Sequence, residues 1–121
     1  MVVFSSLVSH RFARASVLRL WRAGLKRKEE ICDADFLLVT AGQFHGEAAQ
    51  YPCPICESDR LRQVFWIYGE HLGKMSGTAR DSHEIERIAQ TNKPFSVHTV
   101  EVCPDCRWNH LLQTATVASE K

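Results

Sequence analysis

Acidic residues are missing from the first 28 positions, and Glu29 is the first of the 14 in the chain. The same stretch holds seven of the 15 basic residues: Arg11, Arg14, Arg19, Arg22, Lys26, Arg27 and Lys28. The formal net charge is nevertheless only +1, so the chain as a whole lacks the global signature of a polyanion binder. No apolar run approaches the roughly 20 residues that a membrane span needs. The start, residues 1–8, is apolar, but its basic residues follow that stretch instead of preceding it, and no small-residue cleavage site stands out. Both features argue against a secretory signal. An arginine-rich, acid-free start also suits an organellar transit peptide, but nothing else in the chain supports one. There is no low-complexity segment, and no internal repeat beyond two short cysteine motifs. At 121 residues, 45% hydrophobic and 24% charged, the chain reads as one soluble globular domain with a small appendage.

Four of the five cysteines fall in two pairs, Cys53-Pro54-Ile55-Cys56 and Cys103-Pro104-Asp105-Cys106. The C-x-x-C spacing lets two thiolates on one tight turn grip the same ion, and two such knuckles supply four soft ligands that suit tetrahedral zinc. Four thiolates also suit an iron–sulfur centre. A filled sulfur shell leaves no open position for water or substrate, so the motif points to a structural site. A thioredoxin-like redox site would need a single C-x-x-C at a helix start in a βαβ context, which is absent. A secreted disulfide framework more often shows even, scattered cysteines. The reading is therefore a reducing compartment, hence cytoplasmic. The 46 residues between Cys56 and Cys103 exceed a minimal zinc ribbon. Such an insertion costs little, because loop closure grows only logarithmically with length.

Along the chain, residues 1–10 read as an arm. Residues 11–23 become helical, with Leu18, Trp21 and Leu25 three and four apart, Val17 and Leu20 widening the stripe, and Gly24 ending it. Short helices are predicted over 28–34 and 36–43, and residues 47–50 read as a linker. Strands are predicted over 61–68, 95–102 and 108–117 from their β-branched and aromatic content and alternation. Residues 69–82, with three glycines, read as a long loop, and 81–91 as a helix with Ser82 as candidate N-cap. The expected architecture is α+β. N-terminal short helices lead into a zinc-ribbon-like, three-stranded antiparallel sheet with one inserted helix. The expected divisions are an arm at 1–10, a basic helical segment at 11–46, the ribbon-like domain at 51–117 and a tail at 118–121.

The seven basic residues are the candidate partner-binding set, aimed at nucleic acid or an acidic protein surface. The plain alternative is a solvated face of an amphipathic helix. Helix, glycine turn and helix over 14–34 also suggest a helix-turn-helix. Trp108 is expected to cover the metal site, with Asn109 and His110 as supporting hydrogen bonders. Cys32 and His45 read either as half of a second metal site or as a buried thiol and a helix-ending imidazole. Glu70, His71, Asp81 and His83 surround the glycine loop, but their spacing demands no catalytic site, and no enzyme is predicted.

One resemblance runs through several of these motifs: Ile31-Cys32-Asp33-Ala34-Asp35, Phe44-His45-Gly46-Glu47, Pro52 to Cys56, Tyr68-Gly69-Glu70, and Glu101 to His110. On them the chain resembles a family of small actinobacterial proteins catalogued as domain-of-unknown-function family 5318, over roughly residues 16–117. The resemblance implies a cytoplasmic actinobacterial protein with a zinc-ribbon-like half, and it brings no activity. The functional expectation is a small zinc-binding accessory protein that docks on the gene-expression machinery, with RNA polymerase favoured. The alternatives are a helix-turn-helix-like DNA-binding regulator, a ribosome-associated factor and a thiol-based zinc redox sensor.

Overall fold

The computed structural model describes residues 2–120. It begins with a strand: β1 (Val2–Ser9) precedes three helices, α1 (Arg11–Arg22), α2 (Lys28–Ile31) and α3 (Phe36–His45). Then follow β2 (Glu47–Ala48), β3 (Arg62–Tyr68), a 3-10 segment (Glu70–Met75), β4 (Thr78–Arg80), α4 (Ser82–Thr91), β5 (Phe95–Val102) and β6 (Asn109–Ser119). The strands form one six-stranded antiparallel sheet in the order β1-β6-β5-β3-β2. β4 shares the outer edge of β3 with β2, pairing with Phe65, Trp66 and Ile67 while β2 pairs with Arg62 and Gln63.

This overturns the expected three-stranded ribbon with leading helices. The supposed arm is an edge strand on β6, the supposed linker contains β2, and the glycine loop contains a 3-10 segment and β4. The physical reason lies in length and pattern. Two- and three-residue strands are too short to display a period. β1 breaks its own alternation at a bulge, where Ser6 has φ 51° and the register shifts between Ser5 and Val8. The three long central strands carry clear β-branched and aromatic alternation, and they lie close to their expected bounds.

Each face of the sheet buries its own cluster. On one, Ile67, Phe95, Val97 and Val117 pack against Ile85 and Ala89 of α4. On the opposite face, Val64 and Val102 pack under α3, with Ala34 and Ala41. A third cluster joins Leu18 of α1, Ile31, Leu61 and Trp108 to Cys53 and Cys103 at one end of the sheet. In β5 the inward positions Phe95, Val97, Thr99 and Glu101 all alternate to the α4 side, so a glutamate takes a core position near this third cluster. A bulge in β6 sets Thr99 opposite Gln113 but Val100 opposite Leu111, which leaves Leu112 as the extra, buried residue.

Local chemistry fixes the helix ends. Asp81, rather than Ser82, caps α4: its carboxylate accepts from the Glu84 amide, and Glu84 returns a bond to the Asp81 amide. Asp35 caps α3 by accepting from the Leu38 amide at 2.8 Å. Gly24, at φ +76°, ends α1 in the left-handed conformation that glycine adopts without strain. Gly42 lets α3 lie close on β5, since a Cβ there would stand 2.6 Å from Val102 Cγ1. α2 is a single turn of four residues, so α1 and α2 do not form a helix-turn-helix with a recognition helix.

Candidate metal centre

The two cysteine motifs adopt the same turn. Cys53 N–H donates to the Ser58 carbonyl and Glu57 N–H to the Cys53 carbonyl, at 2.9 and 3.0 Å. Cys103 N–H donates to the Trp108 carbonyl and Arg107 N–H to the Cys103 carbonyl, both at 2.9 Å. The residue after each motif, Glu57 or Arg107, has positive φ, 64° and 71°. The first turn precedes β3 and the second joins β5 to β6, so the pairing of these strands brings the knuckles together at one end of the sheet.

Their four sulfurs lie within 4.8 Å of one another and form a group that can hold a metal ion. Cys53 Sγ stands 3.7 Å from Cys106 Sγ, and Cys56 Sγ 3.6 Å from Cys103 Sγ. A tetrahedron of thiolates about 2.3 Å from a zinc ion has sulfur–sulfur edges of about 3.8 Å, so the arrangement fits such an ion. Cys53 and Cys103 are buried, whereas Cys56 is exposed. Burial pushes the Cys53 thiol up to about 11 and also raises that of Cys106. Cys56 goes the other way: burial opposes its ionisation, but the Ser58 amide and the neighbouring thiols outweigh it and lower its pKa. The Ile55 amide points at Cys53 Sγ from 3.5 Å.

Cys32 stands at the edge of this group, 3.9 Å from Cys106 Sγ. It is held there by a dock between the α2–α3 loop and the second knuckle. Ala34 N–H donates to the Arg107 carbonyl at 3.0 Å, and the Arg107 guanidinium donates back to the Ala34 carbonyl. Asn109 donates to Asp33 at 2.8 Å. His45, by contrast, is exposed at the end of α3, in a surface groove with Trp66 and Arg80.

Behind the sulfurs lies a buried glutamate. Glu101 is 0% exposed. It accepts from Arg14 Nε at 2.7 Å, Tyr51 Oη at 2.8 Å and Trp108 Nε1 at 2.6 Å. Arg14 also lies over the Tyr51 ring, 5.6 Å from its centroid. Burial, together with the bond to Glu101, raises the Tyr51 phenol above its ordinary value. A lone buried carboxylate is costly, but one that is paired and fully hydrogen-bonded is not left uncompensated. Because Trp108 packs on Cys53 and Cys103, the polar hub ties α1 to the metal end of the sheet.

Arg14 is thus half-buried and, unlike the other six members of the basic set, turned to Glu101. Arg11, Arg19 and Arg22 are exposed on α1, Lys26 is half-buried, and Arg27 and Lys28 are exposed near Glu30, with Arg27 3.8 Å from its carboxylate. Trp108 is buried beside the sulfurs, but Asn109 bonds Asp33, and His110 stacks on Trp108 with its Nδ1 2.7 Å from the Leu111 carbonyl. Glu101, Tyr51, Asp33 and Arg107 carry structural roles that sequence reasoning missed. Two signals were there to be read: Arg14 falls four residues before Leu18 on the apolar stripe, and Glu101 occupies the inward parity of its strand.

The hub yields a direct prediction. Glu101→Gln leaves the Arg14 charge without a counter-ion and turns an amide N–H₂ toward existing donors. We expect a loss of about 3–5 kcal/mol in unfolding free energy by urea denaturation at neutral pH, as for other broken buried pairs. Tyr51→Phe should cost only about 1 kcal/mol. A Glu101→Gln loss as small as the Tyr51→Phe loss would remove the hub from its structural role.

Among the described residues, no helix is long and apolar enough to cross a membrane. The chain is 38% identical over 114 residues to the uncharacterized protein Rv0049 of Mycobacterium tuberculosis, a match that spans 94% of this chain and 83% of the relative. The uncharacterized protein Mb0050 of Mycobacterium bovis matches to the same extent. No solved structure matches. A model of a family of unknown function matches residues 1–121, and the chain therefore belongs to that family, DUF5318.

Proposed function

We propose that the four cysteines hold a structural zinc ion, and that the protein is a non-enzymatic docking module of the gene-expression machinery with RNA polymerase as its partner. Zinc supplies no chemistry to a substrate here; it cross-links two turns and so stabilises the end of the sheet. The observation that carries the docking reading is the outward face of α1. Arg11, Arg19 and Arg22 are exposed there, in a helix without an acidic residue, while Arg14 alone turns inward to Glu101. Such a one-signed face favours an acidic protein surface, and the near-neutral total charge favours local docking over extensive nucleic-acid contact. The polar residues around the former glycine loop serve other ends: Asp81 caps α4, and His71 Nε2 stands 3.0 Å from the Lys93 carbonyl.

A second reading rests on Cys32. A fifth thiol 3.9 Å from Cys106 Sγ suits a peroxide-responsive zinc site. The Cys106 thiolate attacks a hydroperoxide, forming an S–O bond as the O–O bond breaks and the leaving oxygen departs as water or alcohol. The Cys32 thiolate then displaces hydroxide from that sulfenic acid, forming the Cys32–Cys106 disulfide. With Cys106 consumed, only Cys53, Cys56 and Cys103 would remain to hold an ion, and its release would follow.

Wild-type protein is expected to carry one zinc ion per chain by elemental analysis. Cys103→Ser is expected to lose it and to melt earlier; retained zinc with unchanged melting would refute the four-sulfur site. Affinity capture from a native mycobacterial lysate at low salt is expected to enrich RNA polymerase subunits, and the triple variant Arg11→Glu, Arg19→Glu, Arg22→Glu to lose at least tenfold of that signal without a change in melting. Capture that enriches no polymerase subunit, or that ignores the triple variant, sinks the docking reading. For the thiol reading, hydrogen peroxide should release zinc from wild-type protein several-fold faster than from Cys32→Ser, with the Cys32–Cys106 linkage found by peptide mapping. Equal release rates would end it.

A further inference from the structure

The face of the sheet that carries Glu101 is covered at both ends and open in the middle. α4 packs over Phe95, Val97 and Val117, and α1 reaches Glu101 through Arg14. Between α4 and β1 lies a cavity of about 430 Å³. Its floor is Phe65, Val97 and Ala115 from three adjacent strands, and its walls are Ser82, Ile85 and Glu86 of α4 and Phe4 and Leu7 of β1. Phe4 and Leu7 are 49% and 61% exposed, which is unusual for large apolar side chains on an inward-facing wall.

The floor also carries two polar side chains, Thr99 and Gln113, which stand opposite each other across β5 and β6. Thr99 is only 6% exposed, and its hydroxyl makes no hydrogen bond to any described residue. No buried side-chain oxygen or nitrogen among the described residues lacks a partner, so that hydroxyl keeps its contact with the cavity. Isolated core positions of this kind in a β-strand are filled by valine at no polar cost. A cavity of this size, mainly apolar but with Ser82 and Glu86 on its α4 wall and Thr99 and Gln113 on its floor, has the make-up of a small-molecule site. Its lining includes neither lysine nor arginine but does include Glu86, so a carboxylate or phosphate would meet a like charge there and no counter-charge.

We propose that this cavity binds a small, uncharged, mainly apolar molecule, such as a medium-chain alcohol or an aromatic amine, whose single polar group hydrogen-bonds to Thr99 and Gln113. The site lies apart from the sulfur cluster and from the arginine face of α1, so it stands or falls independently of the proposed docking role. Occupancy would cover the exposed faces of Phe4 and Leu7 and hold β1 against α4.

The test uses the full-length, zinc-loaded protein and N-phenyl-1-naphthylamine, an uncharged apolar probe with one N–H. Saturable fluorescence enhancement is expected, with 1-octanol displacing the probe at least tenfold more effectively than octanoate. Thr99→Val, which keeps the shape and removes the hydroxyl, is expected to weaken probe binding about fivefold. Ala115→Leu, which projects into the cavity, is expected to weaken it at least tenfold at unchanged melting temperature. Because Ala115→Leu can fail to fold, amide chemical shifts of the wild-type protein give a second readout. Probe-induced shifts are expected at Phe65, Ile85, Val97, Thr99 and Ala115. Unsaturable binding, octanoate matching octanol, or shifts confined to the exposed face of α3 at Phe36, Leu37 and Phe44 would overturn the proposal.

Discussion

Four sulfur atoms meet at one end of the sheet because two equivalent turns are placed there by the pairing of β3, β5 and β6. The rest of the protein is arranged around that convergence. Each turn is closed by the same pair of backbone hydrogen bonds and ends on a residue in the left-handed region. The turns are therefore preorganised by main-chain bonding, and an ion held by the four sulfurs would link two segments far apart in sequence. For a small chain with a limited core, such a cross-link contributes folding free energy directly.

Glu101 extends that clamp into the helical layer. Strands and knuckles fix one end of the molecule, but α1 would be free to slide over an apolar surface. A carboxylate with three directed partners, one of them the indole that packs against the sulfurs, gives the helix a register. The reciprocal bonds between Ala34 and Arg107 do the same for the loop that carries Cys32. Specificity of arrangement, more than net stability, is the contribution such polar links make when they are fully satisfied. The same hub divides the basic residues of α1 into one structural arginine and an exposed set.

The two faces of the sheet are finished unequally. α3 closes over Val64 and Val102 through the small residues Ala41 and Gly42, while the other face is shared between α1 and α4, which do not meet over its centre. That gap, walled by α4 and by the irregular edge strand β1, is where the fold departs most from a sealed core. The bulge in β1 takes Leu7 out of regular pairing, and Leu7 and Phe4 both line the gap.

Much of the candidate site was legible from local sequence. C-x-x-C spacing specifies a turn, because the two thiols are separated by too few residues to face elsewhere, and the strands beside each motif announced themselves by alternation. Gly24 ended its helix as its conformational freedom predicts. What remained hidden was everything that depends on partners distant in sequence. A two-residue strand such as β2 exists only because β3 lies beside it. β1, an apolar segment with serines at its centre, becomes a strand because β6 offers an edge. Arg14 and Arg19 are chemically the same in the sequence, and only the placement of Glu101, 87 residues away from Arg14, draws one inward and leaves the other in solvent. Cys32 read only as half of a second metal site with His45 or as a buried thiol, and loop docking instead brought it to the sulfur cluster, away from His45. The sequence by itself determined the ligand set and the central strands, since those follow from spacing and period. The tertiary structure alone decided the extent of the sheet, the buried ion pair and the open cavity, because each arises from contacts that no local pattern encodes.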